Sequence, residues 1–196
     1  NNENNGEATF TVNTFIASTE QVPNPIYTYE DMLNMKDGEY YRQVSDIEIK
    51  VSDFKMITSL PKVFDGNGYN ITILAGALSI DLDESSDFAL FKTVNVDCVI
   101  KNVSLVISGN LNLSLNNSLN TNGANIALLV AENQGIITNC SVISTSMVMV
   151  DVLSTISVME NSYFAGLCAN NSGYITNCRV ECNLTANGAS LGGFVA

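Results

Sequence analysis

The sequence contains no histidine and no tryptophan, and only 14% of its 196 residues are charged, against roughly 25% in ordinary soluble domains. Without histidine there are no Ser-His or Cys-His nucleophile pairs, and the commonest metal ligand is missing. Basic residues are also scarce: 8 Lys and Arg face 20 Asp and Glu, for a net charge of −12. That balance opposes the counterion release that drives nucleic-acid binding. The basic residues are scattered rather than gathered in a patch, so nucleic acid is excluded as a partner. The same sign disfavours anionic lipid surfaces, and no apolar run approaches the roughly 20 residues needed to span a bilayer, so no membrane insertion of the folded part is expected. An initiator Met is absent too. The chain opens Asn1-Asn2-Glu3-Asn4-Asn5-Gly6, consistent with a start after a removed signal, after a lipid-anchor cysteine, or at a chosen boundary.

What the chain does have is uncharged polar surface, rich in Asn, Ser and Thr, over a 46% hydrophobic content that suffices for one domain with a substantial core. Its organisation is repetitive. Residues 131–140 (AENQGIITNC) and 169–178 (ANNSGYITNC) agree at seven of ten positions at an offset of 38. Upstream, Ala127-Leu128-Leu129-Val130-Ala131 faces Ala165-Gly166-Leu167-Cys168-Ala169, and a further copy begins at Gly192-Gly193-Phe194-Val195-Ala196, which raises the expectation of a longer parent repeat protein. Weaker copies lie at Ala89-Leu90-Phe91 with Ile100-Lys101-Asn102-Val103, and at Asp65-Gly66-Asn67-Gly68-Tyr69-Asn70-Ile71. The uneven spacing of about 27 to 38 residues suits a solenoid with loops inserted on some turns.

Side-chain phase carries the shape. Cys178, Val180, Cys182 and Leu184 alternate with Arg179, Glu181, Asn183 and Thr185, the pattern of a half-buried strand. Before the Asn the step is odd: Ile175 precedes Cys178 by three positions, as Ile137 precedes Cys140 and Ile100 precedes Val103. A straight strand would put each pair on opposite faces. A bend at Asn102, Asn139 and Asn177 brings both side chains inward, and Asn tolerates the left-handed backbone such corners need. The three amides could then stack as a hydrogen-bonded ladder. An all-β fold, a parallel β-helix, follows.

The run Ala165 to Cys178, A-G-L-C-A-N-N-S-G-Y-I-T-N-C, resembles the GLUG motif, G-L-V-G-x-N-x-G-x-I-x-N-C/S, of bacterial cell-surface and adhesin-like proteins. Ile26 to Leu33 resembles the opening helix of domains carrying it, Tyr40 to Ile49 their first strand, and Phe64 to Leu74 their F-D-G-N-G-x-x-I-x-x-L rung. The resemblance implies a right-handed parallel β-helix over residues 26–196 with a short N-terminal capping helix. It also implies an extracellular or cell-surface location, lipid-anchored or secreted, and a non-catalytic, adhesin-like role. The surface partner is left open between protein and glycan.

Local signals fill in the rest. Thr28 can cap a helix with Glu30 and Asp31 in its first turn and Met32, Leu33 and Met35 on its apolar side. Thr9 to Ile16 reads as a strand, and Pro23 and Pro25 set residues 1–25 apart as a tether or edge strand. Asn110 to Asn116 alternates strictly and predicts a strand, followed by a polar loop to Gly123. Met147 to Ile156 is apolar on both faces, predicting a strand buried against an insert, with an exposed interaction surface as the alternative.

Chemistry is sparse. Residues 98–196 hold only Lys101 and Arg179 against Glu132, Asp151, Glu160 and Glu181, too few titratable groups for ready acid–base catalysis. The best cluster is Asp81-Leu82-Asp83-Glu84-Ser85-Ser86-Asp87, whose oxygens could meet around calcium. It lacks the Gly and Glu spacing of an EF-hand loop and reads as a solvated acidic loop, just as Asp65-Gly66-Asn67-Gly68 reads as a turn. No catalytic residue, metal or cofactor is assigned. The competing reading is a carbohydrate-active or carbohydrate-binding β-helix, which would require Asp81, Asp83, Asp87, Lys92 and Lys101 to converge in a groove, or tyrosines to form stacking platforms. Tyr40 and Tyr41 read instead as packing. Cys140 and Cys178 hold equivalent positions and could bridge adjacent strands, although free buried thiols are the simpler reading for five cysteines. Seven N-x-S/T sequons, at Asn70, Asn102, Asn112, Asn116, Asn139, Asn170 and Asn183, barely exceed the roughly five expected by chance and carry no claim.

Overall fold

Strand-forming segments recur in the same order as the chain advances. The computed structural model describes residues 18–81, 87–117, 124–154 and 162–196. Strand β1 (Asn24–Ile26) and helix α1 (Tyr29–Leu33) lead into a first pass of β2 (Tyr40–Gln43) and β3 (Ile47–Lys50). The second pass is β4 (Val63–Asp65), β5 (Asn70–Leu74), β6 (Ala77–Asp81), β7 (Asp87–Phe88) and β8 (Phe91–Val94). The third repeats it as β9 (Val99–Lys101), β10 (Ser104–Ser108), β11 (Leu111–Asn117), β12 (Asn125–Ala127) and β13 (Val130–Asn133). The fourth is β14 (Ile136–Thr138), β15 (Ser141–Ser154), β16 (Tyr163–Ala165) and β17 (Cys168–Asn171), and the last is β18 (Tyr174–Thr176), β19 (Arg179–Asn187) and β20 (Ser190–Gly192).

Each strand pairs in parallel with its counterpart one pass away, giving four sheets among the described residues. The first runs β1-β2-β4-β9-β14-β18, the second β3-β5-β10-β15-β11-β6 with β19 on β15, the third β20-β16-β12-β7, and the fourth β17-β13-β8. The second sheet is bent, because β15 pairs with β10 through Ser141–Ser144 and with β11 from Val148 onward. The chain is therefore all-β with parallel sheets. Registered offsets along Tyr40, Val63, Val99, Ile136 and Tyr174 lengthen from 23 to 38 residues, so the shortest step is shorter than the sequence spacing suggested.

Registered columns of apolar side chains fill the interior. Tyr41, Phe64, Ile100, Ile137 and Ile175 share one column, and Ile47, Ile71, Leu105, Val142 and Val180 another. Phe64 and Phe91 meet with ring centroids 5.1 Å apart, a tilted aromatic contact across the core. Burial fades in the last pass, where β19 alternates between exposed and half-buried positions.

Helix α1 forms as its sequence signals. Thr28 Oγ1 accepts from Asp31 N at 3.2 Å, while Asp31 Oδ2 accepts from Thr28 N at 2.9 Å, a reciprocal capping box. Met32 and Met35 are buried in the core at this end. Residues 18–23 lie along the first sheet, where Ser18 Oγ accepts from Tyr40 N at 3.0 Å and Glu20 pairs with Lys101 at 3.1 Å. Strand β1 crosses residue 25, so the first sheet begins at Asn24.

Several expectations need correction. Tyr40 to Ile49 is not one strand. It breaks into β2 and β3 at Val44-Ser45-Asp46, where Gln43 turns its side chain to the carbonyls of Ser45 and Asn70. The segment from Met147 is a strand to Ser154, and over residues 147–151, where burial is described, only one face is fully buried. Val148 and Val150 are fully buried whereas Met147 is 44% exposed, so successive side chains alternate between the core and the outer side. The strand from Leu111 is present. Thr9 to Ile16, the loop of residues 118–123, and residues 155–156 lie outside the described residues.

Candidate functional site

The repeated Asn corners are the best-defined polar feature. Asn102, Asn139 and Asn177 have φ of 56°, 53° and 51°, so the chain bends in the left-handed region at all three predicted positions. Asn67 joins them at φ 53°, offset by one because Gly66 holds the registered place. A Cβ at Gly66 would lie 2.7 Å from the Val103 Cα. Two of the corner N–H groups are satisfied across passes, Asn102 N donating to Thr138 O and Asn139 N to Thr176 O, both at 3.1 Å, whereas Asn67 N donates within its own pass to Asp65 Oδ1 at 2.9 Å.

The amide ladder differs from the predicted one. Asn139 Nδ2 donates to Asn102 Oδ1 at 3.4 Å, and Asn102 Nδ2 donates to Asp65 Oδ1 at 2.8 Å. The ladder thus ends on a carboxylate, which Arg42 Nε meets at 3.4 Å. Among the described residues no side-chain hydrogen bond joins Asn177 to Asn139; the neighbouring Thr176 and Thr138 hydroxyls link those passes at 2.9 Å instead. A second amide pair went unread in the sequence: Asn133, only 1% exposed, donates from Nδ2 to Asn171 Oδ1 at 2.7 Å. Its signal was present, since both Asn stand two residues before the motif Gly, and Asn133 Oδ1 accepts from Gly135 N at 3.2 Å.

The acidic cluster is only partly in view. Asp83, Glu84, Ser85 and Ser86 lie outside the described residues, and Asp81 is placed by its backbone opposite Asn116. Asp87, on β7, has its Oδ2 4.0 Å from Lys92 Nζ and its Oδ1 3.2 Å from Asn125 Nδ2. Asn125 Nδ2 also reaches Glu132 Oε1 at 3.2 Å, so one amide bridges two carboxylates. Beside Glu132 is a polar cleft of about 70 Å³ lined by Asn133, Gln134, Asn170 and Ser172. Lys101 does not join this group; it stands on the first sheet and pairs with Glu20. Among the described residues no three His, Cys, Asp or Glu side chains are grouped to hold a metal, and no helix is long and apolar enough to cross a membrane. Tyr41 is buried, with its hydroxyl between Lys36 N at 2.8 Å and Glu39 Oε2 at 2.9 Å.

All five cysteines are free thiols. Cys178 Sγ accepts from Cys140 N at 3.4 Å, so the two equivalent cysteines do stack on adjacent passes. Each thiol donates to the carbonyl two residues before it, Cys140 Sγ to Thr138 O at 3.3 Å and Cys178 Sγ to Thr176 O at 3.2 Å, and the interaction between the two side chains raises the Cys140 thiol above its ordinary range and lowers that of Cys178. Burial pushes Cys168 up to about 12 and Cys182 up to about 11.

These features define an all-β chain of parallel sheets with Asn-built corners. Comparison with protein-family models, with curated proteins and with solved structures finds no match.

Proposed function

We propose that the chain is a right-handed parallel β-helix of the GLUG-repeat kind, serving as a non-catalytic, adhesin-like module secreted by or held on the surface of a bacterial cell. The supporting observation is the recurrence of left-handed Asn corners at Asn67, Asn102, Asn139 and Asn177 between strands that pair in parallel with unbroken register through the first sheet. A stack organised this way spends its polar residues on holding passes together. Its role is to display an extended surface to a protein or glycan. Purified chain should bind host-matrix proteins or glycans on an array without depolymerising any polysaccharide. New reducing ends or unsaturated sugars in that screen would end the non-catalytic reading, and an experimental map without stacked parallel passes would end the β-helix.

One observation favours carbohydrate binding as the second reading: the Asp87–Asn125–Glu132 bridge beside the polar cleft. Its amide and carboxylate groups could take sugar hydroxyls. A glycan that binds the chain but not a Glu132→Ala variant would decide for it.

A further inference from the structure

We propose that Cys140 and Cys178 are an oxidisable pair that closes a disulfide between adjacent passes on exchange with a small-molecule disulfide such as oxidised glutathione. Each cysteine directly follows a corner Asn, Asn139 or Asn177, whose φ values of 53° and 51° are nearly the same. The two thiols are therefore delivered to the same side of the chain at the same height. Register is unbroken around them, with Ile137 on Ile175 and Thr138 on Thr176 before the corner, and Ser141 on Arg179 and Val142 on Val180 after it. Paired parallel strands lie about 4.8 Å apart, inside the Cα window of roughly 4.4 to 6.8 Å that a disulfide spans. The 3.4 Å contact from Cys140 N to Cys178 Sγ shows that sulfur tilted toward the other cysteine's layer.

Cys168 and Cys182 are poorly placed to compete, and Cys98 precedes β9, at the other end of that strand from the Asn102 corner. Val103 holds the next position in the column above Cys140. Cys182 stands four residues beyond Cys178, within β19, about 13 Å along the chain direction, and Cys168 is on the fourth sheet. Cys140 is 2% exposed while Cys178 is half-buried, so one partner meets solvent and the other is shielded. The lowered thiol of Cys178 favours its reacting first.

The exchange balances. The Cys178 thiolate attacks one sulfur of oxidised glutathione, expelling one glutathione as thiolate, which takes up the proton Cys178 lost. Cys140 then loses its proton as it attacks Cys178 Sγ, and that proton leaves on the second glutathione. Two protein thiols are oxidised and one disulfide is reduced to two thiols.

The test treats the folded, intact protein with oxidised glutathione, alkylates the remaining thiols, and digests it without reduction for mass spectrometry. The expected result is a peptide carrying Cys140 linked to one carrying Cys178, with two of the five thiols lost. Cys140→Val, which places the residue found at Val103 in the same column, should instead trap glutathione on Cys178. Cys178→Val should leave its four cysteines unoxidised. No loss of thiols, a lasting glutathione adduct on Cys178 in the unaltered chain, or a link from Cys178 to Cys182 would overturn the proposal.

Discussion

Asn102 Nδ2 lies 2.8 Å from Asp65 Oδ1 although 37 residues separate them in the chain. This bond converts a stack of neutral amides into one that ends on a charge, and charge-assisted hydrogen bonds are about twice as strong as neutral ones.

Substitution at this corner separates backbone from side chain. Asn102→Ala should destabilise the chain by about 2 kcal/mol, combining left-handed strain with a lost hydrogen bond. Asn102→Gly keeps the backbone at ease and should cost about 1 kcal/mol. Urea titrations of the two variants give both figures. Equal losses would mean that the φ of 56° is not what the position demands.

Gly135 and Gly193 should respond in opposite ways to alanine. A Cβ at Gly135 would collide with the carbonyl oxygens of Asn95 and Cys98, whereas one at Gly193 meets nothing within 4 Å. Backbone cannot step aside as a flexible side chain can, so Gly135→Ala should cost about 3 kcal/mol and Gly193→Ala less than about 0.5 kcal/mol. The urea midpoints of the pair provide the comparison.

The helix cap gives the fold an acid-sensitive component. Burial raises the Asp31 carboxyl, but hydrogen bonds from Tyr27 N and from the Thr28 hydroxyl and backbone outweigh it and hold the group below its ordinary value. A carboxylate depressed in the folded state contributes stability above its unfolded pKa and loses it as pH falls through the lower folded value. The melting temperature should therefore decline from about pH 4 downward by a component that Asp31→Asn removes. A variant with an unchanged acid slope would exclude the cap as its source.

Thiol reactivity should follow the same local environments. At neutral pH iodoacetamide should label Cys178 well before Cys168 or Cys182, whose thiols are pushed up to about 12 and about 11 by burial. Timed alkylation with peptide mapping ranks them. Early labelling of Cys168 would contradict its burial.

The corners were legible because the step of three from Ile to Cys cannot fit a straight strand, a constraint that needs only local sequence. Asn67 escaped because Gly66 takes the registered place and shifts the left-handed residue by one. The weak first copy has a similar cause. Phe91 pairs with Val130 but Val99 with Ile136, so four residues, 95–98, turn a corner that Gln134 and Gly135 turn in two. Asp65 as ladder terminus and Glu20 as partner of Lys101 were invisible, since each depends on a contact across many residues and different elements. The Asp87–Asn125–Glu132 bridge likewise needs two passes to be stacked before it exists.

Length differences are spread unevenly around each pass. Between the second and third sheets the chain spends residues 82–86, then 118–124, then 155–162, and finally only Gly188 and Ala189, while the Asn corners after β9, β14 and β18 each take two. The connection at one end of the second sheet therefore absorbs differences in length while the Asn corner at its other end keeps a constant two residues. The strands on either side stay in register although the connection between them varies in length from pass to pass, which makes it the place where a lineage, or an engineer, could change what the surface presents and keep the scaffold.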